Sequence, residues 1–255
     1  MGALHEGHLS LVRRSRGEND LTVASVFVNP TQFGPKEDFR RYPRPWARDR
    51  RLLEKNGVQI LFAPEANAMY PGGAATRVSV SGLTDGLCGS PRSRGPGHFE
   101  GVATIVAKLF NIVRPTRAYF GMKDFQQVRV IERMNEDLNF GVKVVRCPTV
   151  READGLALSS RNAYLSREER TAAPLLHQAL QRGAKLLRST PGISPRALCR
   201  KVQSVLESNP HFKIDYVELV SPETLQRIGT IRRPALLAAA VFLGKTRLID
   251  NILVS

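Results

Sequence analysis

The chain has 255 residues, 42% apolar and 24% charged, a balance typical of a globular protein with a buried core. No run of about 18 apolar residues occurs, and the first residues do not read as a signal peptide, so we expect no membrane association. The three cysteines, Cys88, Cys147 and Cys199, are scattered without metal or redox spacing and favour a reducing, cytoplasmic location.

The formal net charge is +15, which is compatible with nucleic acid, an acidic membrane surface or anionic small molecules as partners. The positive charge is mostly arginine and is spread along the chain. There is no lysine-rich tail, no interleaving of basic and aromatic residues, and no zinc or helix-turn-helix signature. We therefore expect a diffusely basic surface, with neither nucleic acid nor membrane as a partner.

Two histidines stand close together at the start of the chain, His5 and His8, within a frame of small residues. An apolar pattern with helical spacing follows, so a helix is predicted from near Gly7 to about Arg16. The free N–H groups and the positive dipole end of such a helix favour an anion such as phosphate. The alternative is a pair of histidines at a helix start with no functional role.

Residues 1–149 alternate apolar strands with helices through short connections. This alternation predicts an α/β fold with a Rossmann-like, doubly wound parallel sheet, in which residues 1–149 form the nucleotide-binding domain. The section 64–98 is long and irregular, with one short strand expected at 76–80, and such sections are more often functional than idle. The other predicted strands are 21–28, 58–63, 117–120 and 142–145, and the other predicted helices are 47–56, 102–113 and 125–138.

The pattern changes after residue 150. Helices are predicted at 166–188 and 195–207, followed by strands at 213–219, 235–243 and 246–254, the last two joined by a tight turn at Gly244. This order predicts an antiparallel meander in a smaller α+β domain, residues 150–255, that closes over the active site.

Loops near the predicted strand ends carry phosphate-binding side chains. Lys123 and Asp124 lie at a turn before a helix, and Ser159, Ser160 and Arg161 supply two hydroxyls and a fork-shaped cation. Each set alone is also typical of a helix cap or a polar turn. No thiol or serine has an evident base partner, and there is no GxxxxGK[ST] loop. Residue chemistry alone thus indicates a nucleotide-dependent transferase or ligase.

Eight segments together resemble the pantothenate synthetase (pantoate–β-alanine ligase) family and span nearly the whole chain. They are MGALHEGH (1–8), FVNPTQFGP (27–35), YPR (42–44), GHFEGV (97–102), KLFNIV (108–113), FGMKDFQQ (120–127), PTVREADGLALSSRN (148–162) and TRLIDN (246–251). The resemblance implies that ATP and pantoate form a pantoyl-adenylate, which the amine of β-alanine then attacks to give pantothenate. It also implies Mg²⁺ and a homodimer.

The resemblance also implies roles for particular residues. His8, His5 and Lys123 would be catalytic, His8 as proton donor or charge stabiliser and Lys123 facing the charge on the α-phosphate. Asp49 would help to hold the metal. ATP would contact Met1, Gly2, Ala3, Leu4, His5, Glu6, Gly7, His8, Gly121, Met122, Lys123, Asp124, Val150, Leu158, Ser159, Ser160 and Arg161. Pantoate and β-alanine would contact Gln32, Gln127, Asn29, Tyr42 and His98.

The chain departs from the family pattern in three places. One extra residue separates Arg94 from His98, and Met122 stands where many members have an acidic residue. Family members also carry a strand ending in Pro-Thr before the His motif. Because such a strand contributes about 6–12 kcal/mol, against a domain stability of roughly 5–15 kcal/mol, we expect the first methionine to be internal or the protein to be poorly active.

Two other functions remain open at this point. The first is a different HxGH-type adenylyltransferase or a fragment of a class I aminoacyl-tRNA synthetase. The second is a truncated, inactive paralogue that serves only as a binding or dimerisation module.

Overall fold

The structure, a computed structural model, describes residues 1–35, 37–231 and 233–255. The described chain forms two compact units. The N-terminal unit comprises Met1–Asp85, Gly89–Met122 and Gln127–Val150, and the C-terminal unit comprises Gly86–Cys88, Lys123–Gln126 and Arg151–Ser255.

The described residues of the first half of the chain form five α-helices and four strands. The helices are α1 (Glu6–Glu18), α2 (Trp46–Lys55), α3 (Ala66–Met69), α4 (Pro96–Val113) and α5 (Phe125–Asp137). The strands are β1 (Val23–Ser25), β2 (Ile60–Phe62), β3 (Arg117–Gly121) and β4 (Lys143–Cys147). β1 pairs with β2 and β3 with β4, both in parallel, so the predicted α/β architecture with parallel strands is confirmed.

The apolar residues around β1 show how the parallel strands β1 and β2 are connected. Leu4, Val12 of α1, Ala24 of β1 and Leu53 of α2 form one buried apolar cluster. A strand covered in this way needs a crossover helix on its face, and the helical connection through α2 supplies it.

Four predicted elements differ clearly from the observed ones. The helix expected at 102–113 begins earlier, at Pro96. The strand expected at 76–80 is wrong, because this segment pairs with no strand and the Val78 N–H instead donates to Thr104 Oγ1 of α4 at 2.9 Å. The helix expected at 166–188 is two helices, because Pro174 lacks the N–H that would continue the first one. The strand expected at 21–28 is only Val23–Ser25: the Val26 N–H still donates to Phe62 O of β2 at 2.9 Å, but the Phe27 N–H donates to Met1 O instead.

The C-terminal unit is an antiparallel sheet with helices packed against it. Its helices are α6 (Arg167–Ala172), α7 (Leu175–Ser189) and α8 (Pro195–Glu207). Its strands β5 (Phe212–Val220), β6 (Ala235–Leu243) and β7 (Thr246–Val254) lie in the order β5-β6-β7. The predicted antiparallel meander is therefore observed, and the apolar run of β6 occupies its buried centre.

A glycine sets the distance between the helices and this sheet. A Cβ at Gly183 of α7 would lie 2.5 Å from Val202 of α8 and 2.8 Å from Leu237 of β6. Contacts this short do not occur in packed interiors, so the close approach of α7, α8 and β6 depends on the missing side chain.

Candidate active site

The His motif forms the start of α1. His5 is the N-cap residue, with extended backbone (φ −137°, ψ 174°), and its N–H donates to His8 Nδ1 at 3.3 Å. The two ring centroids are 4.0 Å apart. Since an N–H can donate only to an unprotonated ring nitrogen, this contact assigns His8 the neutral tautomer with its proton on Nε2. The pair lies where helix N–H groups and the helix dipole favour an anion.

A buried carboxylate holds the backbone that leads into this turn. Asp49 of α2 is 1% exposed, and its Oδ1 accepts the Leu4 N–H at 2.8 Å. The preceding residue, Ala3, has φ +49°, a left-handed conformation that costs free energy in a residue with a Cβ. The Asp49 hydrogen bond therefore fixes a strained approach to the two histidines.

Residue 1 runs beside the end of β1. The Met1 amine donates to Ser25 O at 2.8 Å, and the Phe27 N–H donates to Met1 O at 2.9 Å. This pairing brings the His turn next to the segment that continues β1 into the Asn29 turn. Both turns thus lie at the carboxyl end of β1, which is where open parallel sheets bind ligands.

Asn29 is the centre of the second turn and uses both ends of its amide. Its Oδ1 accepts hydrogen bonds from Thr31 Oγ1 at 2.9 Å and from Tyr70 OH at 2.8 Å. Its Nδ2 donates to Gly101 O at 3.0 Å and to Gln32 Oε1 at 3.3 Å. Because the side chain is buried and engaged on every side, it fixes Gln32 in place rather than presenting its own polar atoms.

Gly101 of α4 allows this turn to touch the helix backbone. A Cβ at residue 101 would lie 2.5 Å from Thr31 O and 2.7 Å from Gln32 N, and both atoms belong to the main chain. Only glycine permits such an approach without moving the turn. Gly101 was not predicted as part of the site, although it lies within the segment GHFEGV that carries the family resemblance.

His98 of α4 orients the same turn from its other side. Its Nδ1 donates to Gln32 O at 2.8 Å, which leaves Nε2 as the acceptor of Arg94 Nη1 at 3.2 Å. Arg94 also forms an ion pair with Glu37, whose Oε1 accepts the Gly34 N–H at 3.3 Å. Arg94, which the extra residue separates from His98, is thus linked to the Gln32 turn through His98. Glu37 was not predicted, and no spacing in the sequence indicated it.

The aromatic residues that follow form a small cluster next to this turn. Phe33 packs edge-on against Tyr42 with ring centroids 5.7 Å apart, and against Phe39 at 5.3 Å. The Arg44 guanidinium lies over the Phe39 ring at 4.8 Å. Tyr42 is half-buried and therefore forms part of the wall around the Gln32 turn.

Lys123 belongs to the C-terminal unit. It lies in the 3-10 turn Met122–Asp124 just before α5, and its backbone carbonyl accepts Asn251 Nδ2 at 2.9 Å. Burial lowers the pKa of the Lys123 amine, Arg161 and Arg151 lower it further, and Asp124 and Asp250 oppose the shift. Burial is the main cause of the shift, so a negatively charged ligand beside the amine would favour its protonated form.

The serine and arginine residues lie after a tight hairpin. The Glu152 N–H donates to Leu156 O at 2.8 Å, which closes residues 151–157 into a hairpin. Ser159 then caps the 3-10 turn Ser160–Tyr164, and its Oγ accepts the Arg161 N–H at 3.2 Å. The Ser159 hydroxyl is thereby oriented by backbone geometry, as a phosphate-binding group requires.

The remaining predicted residues are distributed over both units. His5, His8, Asn29, Gln32, Tyr42 and His98 lie in the N-terminal unit with Asp49, Gly121, Met122, Gln127 and Val150. Lys123, Asp124, Leu158, Ser159, Ser160 and Arg161 lie in the C-terminal unit. Within the N-terminal unit, the structure brings together the His turn and the Gln32 turn, with His98 behind the latter.

The part of the chain that the structure describes contains no group of three or more His, Cys, Asp or Glu residues arranged to hold a metal ion. Nor does any of its helices have the length and apolar character needed to cross a membrane.

These features define a class: an α/β protein with a helix-start histidine pair, a positioned glutamine turn and a cationic C-terminal cluster, as expected of an enzyme that handles nucleotide phosphates. Comparison with known proteins is more specific. The sequence profile of the Pantoate-beta-alanine ligase family matches residues 1–253. The chain belongs to the pantoate–β-alanine ligase family.

Individual relatives agree with this assignment. The chain is 54% identical over 253 residues to the pantothenate synthetase of Moorella thermoacetica, covering 99% of this chain and 88% of that protein. The crystal structure of pantothenate synthetase from Thermus thermophilus superimposes with a TM-score of 0.94 at 52% identity, covering 100% of this chain and 91% of the other. A pantoate-β-alanine ligase from Francisella tularensis, complexed with β-γ ATP and β-alanine, has a TM-score of 0.79 at 34% identity, covering 99% and 87%.

Proposed function

We propose that this protein joins pantoate to β-alanine with ATP, releasing AMP and pyrophosphate, and that the residues described above perform the reaction. The observation that carries the proposal is the match to the ligase family over residues 1–253, and the His turn supports it. The relative complexed with β-γ ATP and β-alanine supplies two of the three substrates.

The reaction has two steps, and in each step one bond forms while another breaks. In the first, a pantoate carboxylate oxygen attacks the α-phosphorus of ATP, and the bond from that phosphorus to the bridging oxygen of pyrophosphate breaks. In the second, the β-alanine nitrogen attacks the acyl carbon, loses a proton, and the bond from that carbon to the AMP oxygen breaks. No covalent bond to the protein forms, so rate acceleration comes from alignment and charge stabilisation.

The His turn is assigned to the phosphates of ATP. The first N–H groups of α1 can donate to an anion, and the neutral His8 tautomer donates from Nε2, which is the group that the structure leaves as the proton-bearing nitrogen. The His5 ring lies against the His8 ring, with an angle of 38° between their planes. In this assignment His8 stabilises the negative charge that develops as pyrophosphate leaves.

The Gln32 turn is assigned to pantoate, together with Gln127, and Gln32 also lies near β-alanine in this assignment. Asn29 and His98 fix Gln32 through its side chain and its carbonyl. A pre-oriented amide can donate to a pantoate oxygen and accept from a hydroxyl without losing side-chain entropy on binding. Tyr42 contributes to the apolar wall beside the pantoate methyl groups.

Lys123 and the segment 159–161 are assigned to the charge on the transferring phosphate. Burial lowers the pKa of Lys123, and Arg161 and Arg151 lower it further. The negative charge of a bound phosphate would stabilise the protonated amine. Arg161 and the two serine hydroxyls would add fork-shaped and neutral donors. Gly121, Asp124, Val150 and Leu158 are assigned to the ribose and adenine.

Mg²⁺, the dimer and the cytoplasmic location are further parts of the proposal. Mg²⁺ usually keeps its waters and is held by substrate phosphates with one or two carboxylates. Asp49 is the assigned carboxylate, but it is buried and one oxygen already accepts the Leu4 N–H. A dedicated protein cage for the metal does not fit these residues, and we assign no step to the metal.

One assay tests the proposed function. Purified protein is incubated with ATP, and pyrophosphate and AMP are measured separately. We expect pyrophosphate release to require pantoate, and AMP and pantothenate release to require β-alanine in addition. Pyrophosphate release that is independent of pantoate would assign the chain to another adenylyltransferase activity. A folded protein with neither release would be a binding module only.

A further inference from the structure

Asp250 on β7 is a buried carboxylate that accepts four hydrogen bonds. It is 3% exposed. Its two oxygens accept Arg151 Nη1 at 2.7 Å and Nη2 at 2.9 Å, and Oδ2 also accepts His177 Nδ1 at 3.1 Å. The Asn251 N–H adds a fourth hydrogen bond at 2.8 Å. A buried charge with this many donors is held in one orientation.

Through Arg151, this carboxylate fixes the hairpin 151–157. Arg151 Nη1 also donates to Gly155 O at 3.1 Å, so one guanidinium ties Asp250 to the tip of the hairpin. Gly155 has φ +93°, and a Cβ there would lie 3.1 Å from His177. The hairpin leads directly into residues 159–161, so its position determines where the serine hydroxyls and Arg161 lie.

Asp250 is connected to Lys123 in two ways. The neighbouring Asn251 donates to the Lys123 carbonyl at 2.9 Å. In addition, Lys123, His177 and Asp250 line one enclosed cavity of about 10 Å³, together with apolar residues. This volume has room for about one water molecule, so no second anion fits beneath the lysine. Asp250 is therefore the buried negative group on that side of Lys123.

We propose that Asp250 is a positioning residue of the ligation reaction, which orients Lys123 and the segment 159–161 toward the phosphates of ATP through Arg151, His177 and Asn251. This inference rests on the proposed function of Lys123. Asp250 itself contacts no substrate, because its oxygens are used inside the unit.

The carboxylate is suited to this task because it stays ionised. Burial alone would raise the pKa of Asp250, but the hydrogen bonds from His177 and Arg151 outweigh it and hold the pKa below its usual range. The negative charge is thus present throughout the neutral range. It opposes the effect of Arg151 and Arg161 on the Lys123 amine, as Asp124 does.

The test compares Asp250→Asn with Asp215→Asn. Asp215 is a matched control, because it too is a nearly buried carboxylate of the same sheet paired with an arginine, Arg247, at 2.8 Å. Only Asp250 lines the cavity under Lys123. We expect Asp250→Asn to lower kcat for adenylate formation by about tenfold to a hundredfold and to raise the KM for ATP. We expect KM for β-alanine to change by less than about twofold.

A pH profile separates positioning from a loss of folded protein. The charged groups that face the Lys123 amine are Asp124, Asp250, Arg151 and Arg161, with His177 on the same cavity. Removing the Asp250 charge should lower the pH at which kcat/KM declines on the alkaline side by about one unit. Asp215→Asn should leave that pH unchanged. A uniform loss at every pH, equal in both variants, would overturn the inference.

Two controls keep the result interpretable. If Asp250→Asn does not fold, Arg151→Lys keeps the ion pair but loses the bidentate contact, and it should show the same rise in KM for ATP. An unchanged KM in that variant would contradict the inference. Wild type that forms no pantothenate would refute the proposed function instead. Active wild type, inactive Lys123→Ala and a normal Asp250→Asn would refute this inference alone.

Discussion

The two units hold their functional side chains in different ways. In the N-terminal unit, the Asn29 amide and the His98 ring hold Gln32 around a close approach of backbone at Gly101. The Arg94–Glu37 ion pair lies behind His98. In the C-terminal unit, Lys123 and the hairpin 151–157 are fixed around the charged Asp250 carboxylate. One arrangement depends on shape, the other on buried charge.

This difference has consequences for how each unit responds to change. A network built around a close approach of backbone is intolerant of added volume. A buried ion network tolerates modest shape changes and fails when one charge is removed, because the partner charge is left buried and unpaired. Added volume should therefore disturb the N-terminal unit most, and the removal of a charge the C-terminal unit.

The largest effects are expected at the two residues assigned above to the reacting phosphates. His8→Ala and Lys123→Ala should each lower the rate of adenylate formation by about 10²–10⁴-fold, because each removes a positioned donor. The far-UV circular dichroism should be unchanged, since neither side chain belongs to an apolar cluster. Pantoate-dependent pyrophosphate release is the measurement. Near-normal rates in both variants would contradict the catalytic assignments.

Much of this arrangement could be predicted from the sequence. The parallel strands, β6 and β7 with their hairpin, and α8 followed from apolar patterns. The signal is clearest for β6, which is buried almost throughout, and for α8, which buries one face. The His motif could be placed at a helix start because glycine and the apolar spacing mark one. The assignment to the ligase family rested on several segments in order, and the family profile confirms it.

What could not be predicted depends on contacts between residues distant in sequence. The Asp250–Arg151 pair joins residues 99 positions apart, and Arg94 meets Glu37 across 57. Neither spacing has a local signature. The strand expected at 76–80 failed for the same reason, because the partner of Val78 is a threonine side chain and not a strand.

Added volume should disturb the N-terminal unit strongly at one glycine. Gly101→Ala places a Cβ 2.5 Å from Thr31 O, so we expect a loss of about 1–3 kcal/mol in the free energy of unfolding. The KM for pantoate should rise as well, since the Gln32 turn must shift. Denaturant unfolding and initial rates measure the two effects.

The same helix contains the control for this substitution. A Cβ at Gly97 would meet no atom within 4 Å, and the φ of this residue is outside the left-handed region, so Gly97→Ala should be neutral or stabilise by about 0.4–1 kcal/mol. Equal destabilisation by both substitutions would show that helix propensity, rather than the contact with Thr31, decides the outcome.

Charge should disturb the C-terminal unit in a pH-dependent manner. The pKa of Lys123 is lowered from its ordinary value of 10.5, so the protonated amine costs stability in the folded state. This cost is fully present below the folded pKa and disappears as the pH rises toward 10.5. Lys123→Met should therefore raise Tm at pH 7 while abolishing activity, with a smaller gain at pH values near the ordinary lysine pKa. A gain that grows with pH would contradict the sign of this shift.

The smallest effect is expected at Asp49. This residue combines the two kinds of arrangement, because a carboxylate there accepts a hydrogen bond from a backbone N–H. Asp49→Asn keeps an oxygen that can accept from Leu4 at the observed 2.8 Å, so we expect kcat to fall by less than about tenfold and the Mg²⁺ requirement to be unchanged. Asp49→Ala removes the acceptor and leaves a buried N–H unpaired, at a cost of about 1–3 kcal/mol in the free energy of unfolding. Titration of activity with Mg²⁺ in the Asn variant is the decisive measurement. A large rise in the Mg²⁺ concentration needed for half-maximal activity would mean that the second carboxylate oxygen binds the metal, and that the charge of Asp49, rather than its shape, is what the His turn requires.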